Sequence, residues 1–119
     1  MKNESDNHKL RIEMMKRLRS NILFTKSAKR AYWHARIDVK GRVDPELEAV
    51  IAANAEYSYL YAGFIKGRFP EGEAAIATSA YYAVNYARDV IEGRFPEGEA
   101  VIAKDAWWAA KYQEFLETL

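Results

Sequence analysis

A chain of 119 residues without a cysteine has the length of one domain, 1–119, and can form neither a disulfide nor a thiolate metal site. No apolar run approaches the roughly 20 residues of a membrane span, and the polar stretch Met1–Asn7 does not read as a signal peptide, so the expectation is a cytoplasmic protein with no membrane partner. The net charge of +1 conceals a split: residues 1–42 carry twelve Lys and Arg against four Asp and Glu, whereas residues 43–119 carry six against thirteen.

The first predicted element is a helix over Asn7–Phe24. Leu10, Met14, Leu18 and Ile22 recur every four residues, with Met15 and Leu23 beside them, and Lys9, Arg11, Lys16, Arg17 and Arg19 supply a basic outer face. This helix is expected to cap one end of the molecule, with residues 1–6 frayed. Ser27 is a fit N-cap for a second helix, Ala28–Lys40. Residues 7–40 therefore read as a basic cap followed by a divergent first hairpin.

Beyond residue 40 the chain repeats. The text Gly-Arg-Phe-Pro-Glu-Gly-Glu stands at Gly67–Glu73 and again at Gly93–Glu99, an offset of 26 residues, which is the mark of a stacked-repeat architecture. Within one unit, Gly67 can end a helix in the left-handed conformation, Pro70 suits the first turn of a short helix Pro70–Thr78, and Ser79 caps a second helix Ala80–Ile91. Ser27, Asn54, Ser79 and Asp105 are cap residues at spacings of 27, 25 and 26, each followed by alanine. Gly41, Gly67 and Gly93 close the units, and Arg42, Arg68 and Arg94 follow them. The first unit gains one residue, Asp44, before its helix Pro45–Ala53 and loses one near Gly63. The stripe Tyr82, Ala83, Tyr86, Ala87 and Val90, like Trp108, Ala109, Tyr112 and Leu116, is one apolar helix side, and Ile51, Ile76 and Ile102 hold equivalent slots. The predicted fold is all-α, a short stack of helical-hairpin repeats at 41–66, 67–92 and 93–119 behind a longer amphipathic N-terminal helix.

The stretch Tyr86–Glu99, with its Arg94-Phe95-Pro96-Glu97-Gly98-Glu99 core, resembles the short tandem repeats with an Arg-Phe/Trp-Pro-Glu-x-Glu core found in uncharacterised proteins of tailed phages and large DNA viruses. The resemblance covers about residues 39–119, departing at Val43-Asp44-Pro45. It implies a viral origin and a helical repeat fold, and no general activity.

Candidate chemistry is sparse. Glu71, Glu73, Glu97 and Glu99, with Glu46 and Glu48, are paired carboxylates, but their recurrence in every unit fits complementation of the helix dipole and ion pairs to the repeated arginines. Each arginine is expected to tie its loop to a neighbouring unit's glutamate or to free helix-end carbonyls. His8 and His34 lack matching metal ligands, and His34 falls in the slot of Tyr61, Tyr86 and Tyr112 as a packing residue. There is no nucleophile elbow, dinucleotide fingerprint or phosphate loop. No enzyme, cofactor or metal is expected.

Two surfaces stand above this background. One is basic: Lys16, Arg17, Arg19, Lys26, Lys29, Arg30 and Arg36, with Tyr32 and Trp33 among them, suited to nucleic acid or to an acidic protein. The other is aromatic: opposite the buried stripe, equivalent positions read Lys29, Glu56, Tyr81 and Trp107, then Trp33, Leu60, Asn85 and Lys111. The last unit lacks a glycine stop and places Phe115 where Asp89 stands, so its outer face is expected to pair with a second copy or a partner. The first functional reading is a non-enzymatic protein-binding module, a phage-encoded inhibitor or modulator that occludes a host protein, such as one of a defence system, through Trp33, Leu60, Tyr81, Trp107 and Phe115. The alternative is a nucleic-acid-binding protein using the basic N-terminal helices.

Overall fold

The computed structural model describes residues 3–119. Its first element, α1, spans Glu4–Thr25 and begins earlier than the pattern suggested, because Asn3 caps it: its side chain accepts from the Asp6 N–H at 2.9 Å. The expected fraying of residues 3–6 is therefore corrected; residues 1 and 2 lie outside the described residues. The remaining elements are α2 (Ala28–Trp33, continued as a π-helix over His34–Val39), α3 (Pro45–Ala52), α4 (Ala55–Ile65), α5 (Glu73–Ile76), α6 (Ala80–Tyr86, continued as a π-helix over Ala87–Ile91), α7 (Glu99–Ala103) and α8 (Ala106–Leu116). Single 3-10 turns, Pro70–Gly72 and Pro96–Gly98, lead into α5 and α7. No strand occurs among the described residues.

The cap residues act as their chemistry requires. Ser27, Asn54, Ser79 and Asp105 each accept from the N–H three residues on, at the starts of α2, α4, α6 and α8. Asp44 accepts from Glu46 and Leu47 at the start of α3. With no glycine after it, the pattern let the last helix run to Leu119; α8 instead stops at Leu116, and the Thr118 and Leu119 N–H groups close turns onto Phe115 and Leu116.

The one-residue difference near Gly63 has a structural form. α4, the shorter second helix, is α-helical to its end, and the Gly67 N–H reaches back five residues to the Ala62 carbonyl. In the two longer ones the extra residue is absorbed by π-helix, and Gly41 and Gly93 reach back six residues, to Ala35 and Ala87. The equivalent alanine carbonyl thus closes all three.

Sequence reasoning placed the left-handed residue one position late. Lys40, Lys66 and Glu92 have φ of 57°, 58° and 58°, and no described glycine has positive φ. The helix ends on the residue before the glycine, whose own N–H supplies the closing bond. A non-glycine side chain in this conformation costs about 1 kcal/mol. Glu92→Gly is therefore expected to raise stability by about 1 kcal/mol, measured as a shift of the urea midpoint at unchanged slope.

Glycine is required instead at Gly72 and Gly98. A Cβ on Gly98 would lie 2.8 Å from the Ala83 Cβ, and one on Gly72 would lie 2.4 Å from the Ser58 Oγ. The 3-10 turn of each unit is thus seated directly on the second helix of the unit before. Phe69 and Phe95, both fully buried, lie beside the same seats, 5.0 Å from Tyr61 and 5.2 Å from Tyr86 between ring centres. In the first unit Val43 stands for the phenylalanine and Leu47 for the glycine, and α3 packs on α2 with both buried.

The helices meet in chain order. α3 lies against α2 and α4, α5 against α4, and α7 against α6 and α8, while α2, α4, α6 and α8 touch in succession. Ile51, Ile76 and Ile102 are buried at equivalent places in one continuous core, and the whole measures 62 × 27 × 19 Å. Of α1, only Ile22 is fully buried. The apolar stripe expected to cap the stack does so only near its C-terminal end; Leu10 and Met14 are 46 % and 60 % exposed. At 1.5 Å per residue α1 is about 33 Å long, and its first half overhangs a groove shared with Ile37 and Lys40.

Candidate partner-binding surface

One polar constellation recurs in each of the units 41–66, 67–92 and 93–119. In the middle unit the Arg68 guanidinium donates to both carboxylate oxygens of Glu73, at 2.9 and 2.8 Å. The Tyr86 hydroxyl donates to Glu73 Oε2 at 2.6 Å and accepts from the Phe69 N–H at 3.0 Å. Arg94, Glu99, Tyr112 and the Phe95 N–H repeat this arrangement. Arg42, Glu48, Tyr61 and the Val43 N–H form the same set in the first unit. The arginine therefore binds the glutamate of its own unit, not a neighbour's. The clamp ties the loop, the first helix and the second helix of one unit at a single carboxylate. His34 fills the tyrosine slot before the first clamp; it is buried, and its Nδ1 lies 3.0 Å from Asp38.

The clamp and its relatives depend on ionised carboxylates. Hydrogen bonds from Arg68 and Arg94 hold Glu73 and Glu99 below the ordinary 4.5, and hydrogen bonds from Arg19 and Arg88 hold Asp44 and Asp89 below the ordinary 3.8. A carboxylate depressed in the folded state stabilises fully above its unfolded value, and that stability is lost as pH falls through the folded value. The melting temperature is expected to be level above pH 4.5 and to fall steeply below it, with a shallower acid limb for Glu73→Gln; thermal melts followed by circular dichroism between pH 7 and pH 2 check this.

The aromatic face is built on the second helices. Tyr32 meets Tyr57 at 5.7 Å, Tyr59 meets Tyr82 at 5.9 Å, and Tyr81 meets Trp108 edge-on at 5.2 Å, so rings run from α2 across α4 and α6 to α8. Tyr81 is braced a second time by Tyr82, at 4.8 Å, and its carbonyl accepts from the buried Asn85 amide. Tyr81 and Trp107 are 49 % and 63 % exposed, and the Lys111 ammonium sits 4.7 Å over the Trp107 ring. Trp107, Trp108, Lys111 and Phe115 line one shallow crevice with Arg88 and Glu114. Trp33 is exposed on α2, far earlier in the helix order; it meets Tyr32 edge-on and lies under the Arg36 guanidinium. Leu60 and Phe115 are half-buried against the core rather than presented to solvent. Of the five residues expected to contact a partner, Tyr81 and Trp107 stand on the adjacent helices α6 and α8, Phe115 shares the crevice, and Trp33 and Leu60 stand elsewhere.

No family model, curated protein or solved structure matches this chain.

The basic residues divide. Arg19 binds both oxygens of Asp44, at 2.8 and 3.2 Å, and Glu46 at 3.2 Å, tying α1 to the start of α3. Arg30 donates to Asn21, and Arg36 to the Tyr32 hydroxyl. Lys16, Arg17, Lys26 and Lys29 are exposed. Among the described residues no group of three or more His, Asp and Glu is placed to hold a metal, and no helix is long and apolar enough to cross a membrane.

The sequence did not reveal the tyrosine of the clamp as a polar residue. Glu48, Glu73 and Glu99 each precede a tyrosine by 13 residues, and that constant interval was the available signal.

Proposed function

We propose that the chain is a non-enzymatic protein-binding module that docks a partner on the aromatic face of α6 and α8, centred on Tyr81 and Trp107. The observation that carries this reading is the bracing: the exposed Tyr81 ring is held edge-on by the half-buried rings of Tyr82 and Trp108, and the exposed Trp107 ring lies under the Lys111 ammonium. Pre-set aromatic side chains lose little freedom on binding and are typical interface anchors. One carboxylate of each repeated pair, Glu48, Glu73 or Glu99, is occupied by an arginine and a tyrosine, which supports a structural role for it over acid–base chemistry. The resemblance of the repeat text to phage proteins supports a host protein as the partner and inhibition or modulation as the outcome.

Affinity capture from bacterial lysate with the wild-type chain, Trp107→Ala and Arg17→Glu separates the readings. The expected result is one protein retained by wild type and by Arg17→Glu and lost with Trp107→Ala. Nucleic acid retained by wild type, lost with Arg17→Glu and released steeply by salt would instead place the function on Lys16, Arg17, Lys26 and Lys29.

A further inference from the structure

Each unit leaves a seat for the next. On α4 the seat is Ser58 and Tyr61, with Ile51 buried nearby, and it receives Phe69-Pro70-Glu71-Gly72. On α6 it is Ala83 and Tyr86, with Ile76, and it receives Phe95-Pro96-Glu97-Gly98. The two occupants have one conformation: φ and ψ are −120° and 82° at Phe69 and −122° and 82° at Phe95, each followed by a 3-10 turn. In the last unit the same residues recur as Ala109, Tyr112 and Ile102. They line an open groove of about 460 Å³ with Leu116, rimmed by Arg94 and Gln113.

One position in that groove differs. Ala35, Ala62 and Ala87 are fully buried, and Ala62 shares a crevice with Asp89, Val90 and Glu92 of the following second helix. The equivalent residue in α8 is Gln113, which is exposed. The seat for a phenylalanine–glycine turn is thus retained, while the small residue that admits a whole further helix is replaced by a larger polar one. We infer that the groove on α7 and α8 binds a short Phe-Pro-acidic-Gly segment of a partner protein, in the conformation that Phe69–Gly72 and Phe95–Gly98 adopt inside the chain, and that it excludes a second copy of the helical pair. This site is separate from the Tyr81–Trp107 face and stands or falls independently of it.

The probe is the end-capped peptide Gly-Arg-Phe-Pro-Glu-Gly-Glu, titrated into the full chain and followed by amide chemical shifts. The expected result is saturable change at Ala109, Tyr112 and Leu116. Replacing the peptide's second glycine by valine is expected to weaken binding at least fivefold, because its side chain would meet the Ala109 methyl as Gly98 would meet Ala83. Ala109→Leu, which fills the seat from the protein side, should abolish binding, and Trp107→Ala should leave it unchanged. The inference is overturned by the absence of saturable shifts, by shifts elsewhere on the molecule, or by equal binding of the valine peptide, a comparison that needs no protein variant. Light scattering is expected to show a single chain; a doubled mass that blocks the peptide would show that a second copy fills the groove, and would overturn it too.

Discussion

Gly72→Ala is expected to destabilise the protein by about 3 kcal/mol, the upper part of the range for forcing an extra methyl into a filled core. The added Cβ would lie 2.4 Å from the Ser58 Oγ and 2.6 Å from both the Ser58 Cβ and the Phe69 Cδ2. Neither neighbour can retreat. Ser58 is fully buried and its hydroxyl donates to the Ile51 carbonyl at 3.0 Å, and the Phe69 ring is fully buried beside Tyr61. The backbone at Gly72 has φ −95° and ψ −5°, which alanine adopts freely, so the whole effect is steric. Gly67→Ala is the control: nothing lies within 4 Å of its Cβ and its φ is not positive, so alanine there should be neutral or stabilise by about 0.5 kcal/mol through the unfolded chain. Urea unfolding of the two variants side by side reads the difference; equal midpoints would show that the seat on Ser58 is not tight.

Tyr86→Phe should cost about 2 kcal/mol, because removing one partner leaves buried groups without hydrogen bonds. The lost hydroxyl serves two of them. It accepts from the Phe69 N–H, which has no other partner in reach of its turn, and it donates to Glu73, which is itself buried. Tyr112→Phe removes the same contacts at the edge of the molecule, where Glu99 is partly exposed and water can replace the hydroxyl, so about half the cost is expected. Alkaline pH tests the same bond. Burial first, and then the hydrogen bond to Glu73, push the Tyr86 phenol above its ordinary 10. The neutral phenol stabilises fully below pH 10, and that contribution is lost above it as the unfolded phenol ionises first. Wild type should lose stability faster than Tyr86→Phe above pH 10, measured by urea midpoints.

Much of this is legible in the sequence. The caps at Ser27, Asn54, Ser79 and Asp105 are local effects, in which a short polar side chain meets an N–H three residues away, and each was placed correctly. The period located the isoleucines and the tyrosine slots because packing follows it. What escaped depends on distances across the chain. That Gly72 and Gly98 are constrained and Gly67 and Gly93 are not follows from what lies opposite them, which spacing alone does not say. The left-handed residues Lys40, Lys66 and Glu92 escaped because the usual preference for glycine is a preference and not a requirement. The overhang of α1 escaped because its stripe is as regular where it is uncovered as at Ile22 where it is covered. Of the candidate surface, Tyr81 and Trp107 were visible as outliers among equivalent positions, but the bracing of Tyr81 by Tyr82 and Trp108 and the Lys111 ammonium over Trp107 were not.

The joint between α2 and α3 bears on how such a gene can lengthen. Val43 and Leu47 differ from Phe69 and Gly72 as a matched exchange: a smaller residue at one place and a larger one at the other. Copying the DNA for residues 67–92 would lay a new Gly72 on Ala83, as Gly98 already lies, and the longer product could fold in register. Copying 41–66 would bring a leucine onto Ser58, where not even a methyl fits. Growth by tandem duplication is therefore open to the middle of this chain and closed to its beginning.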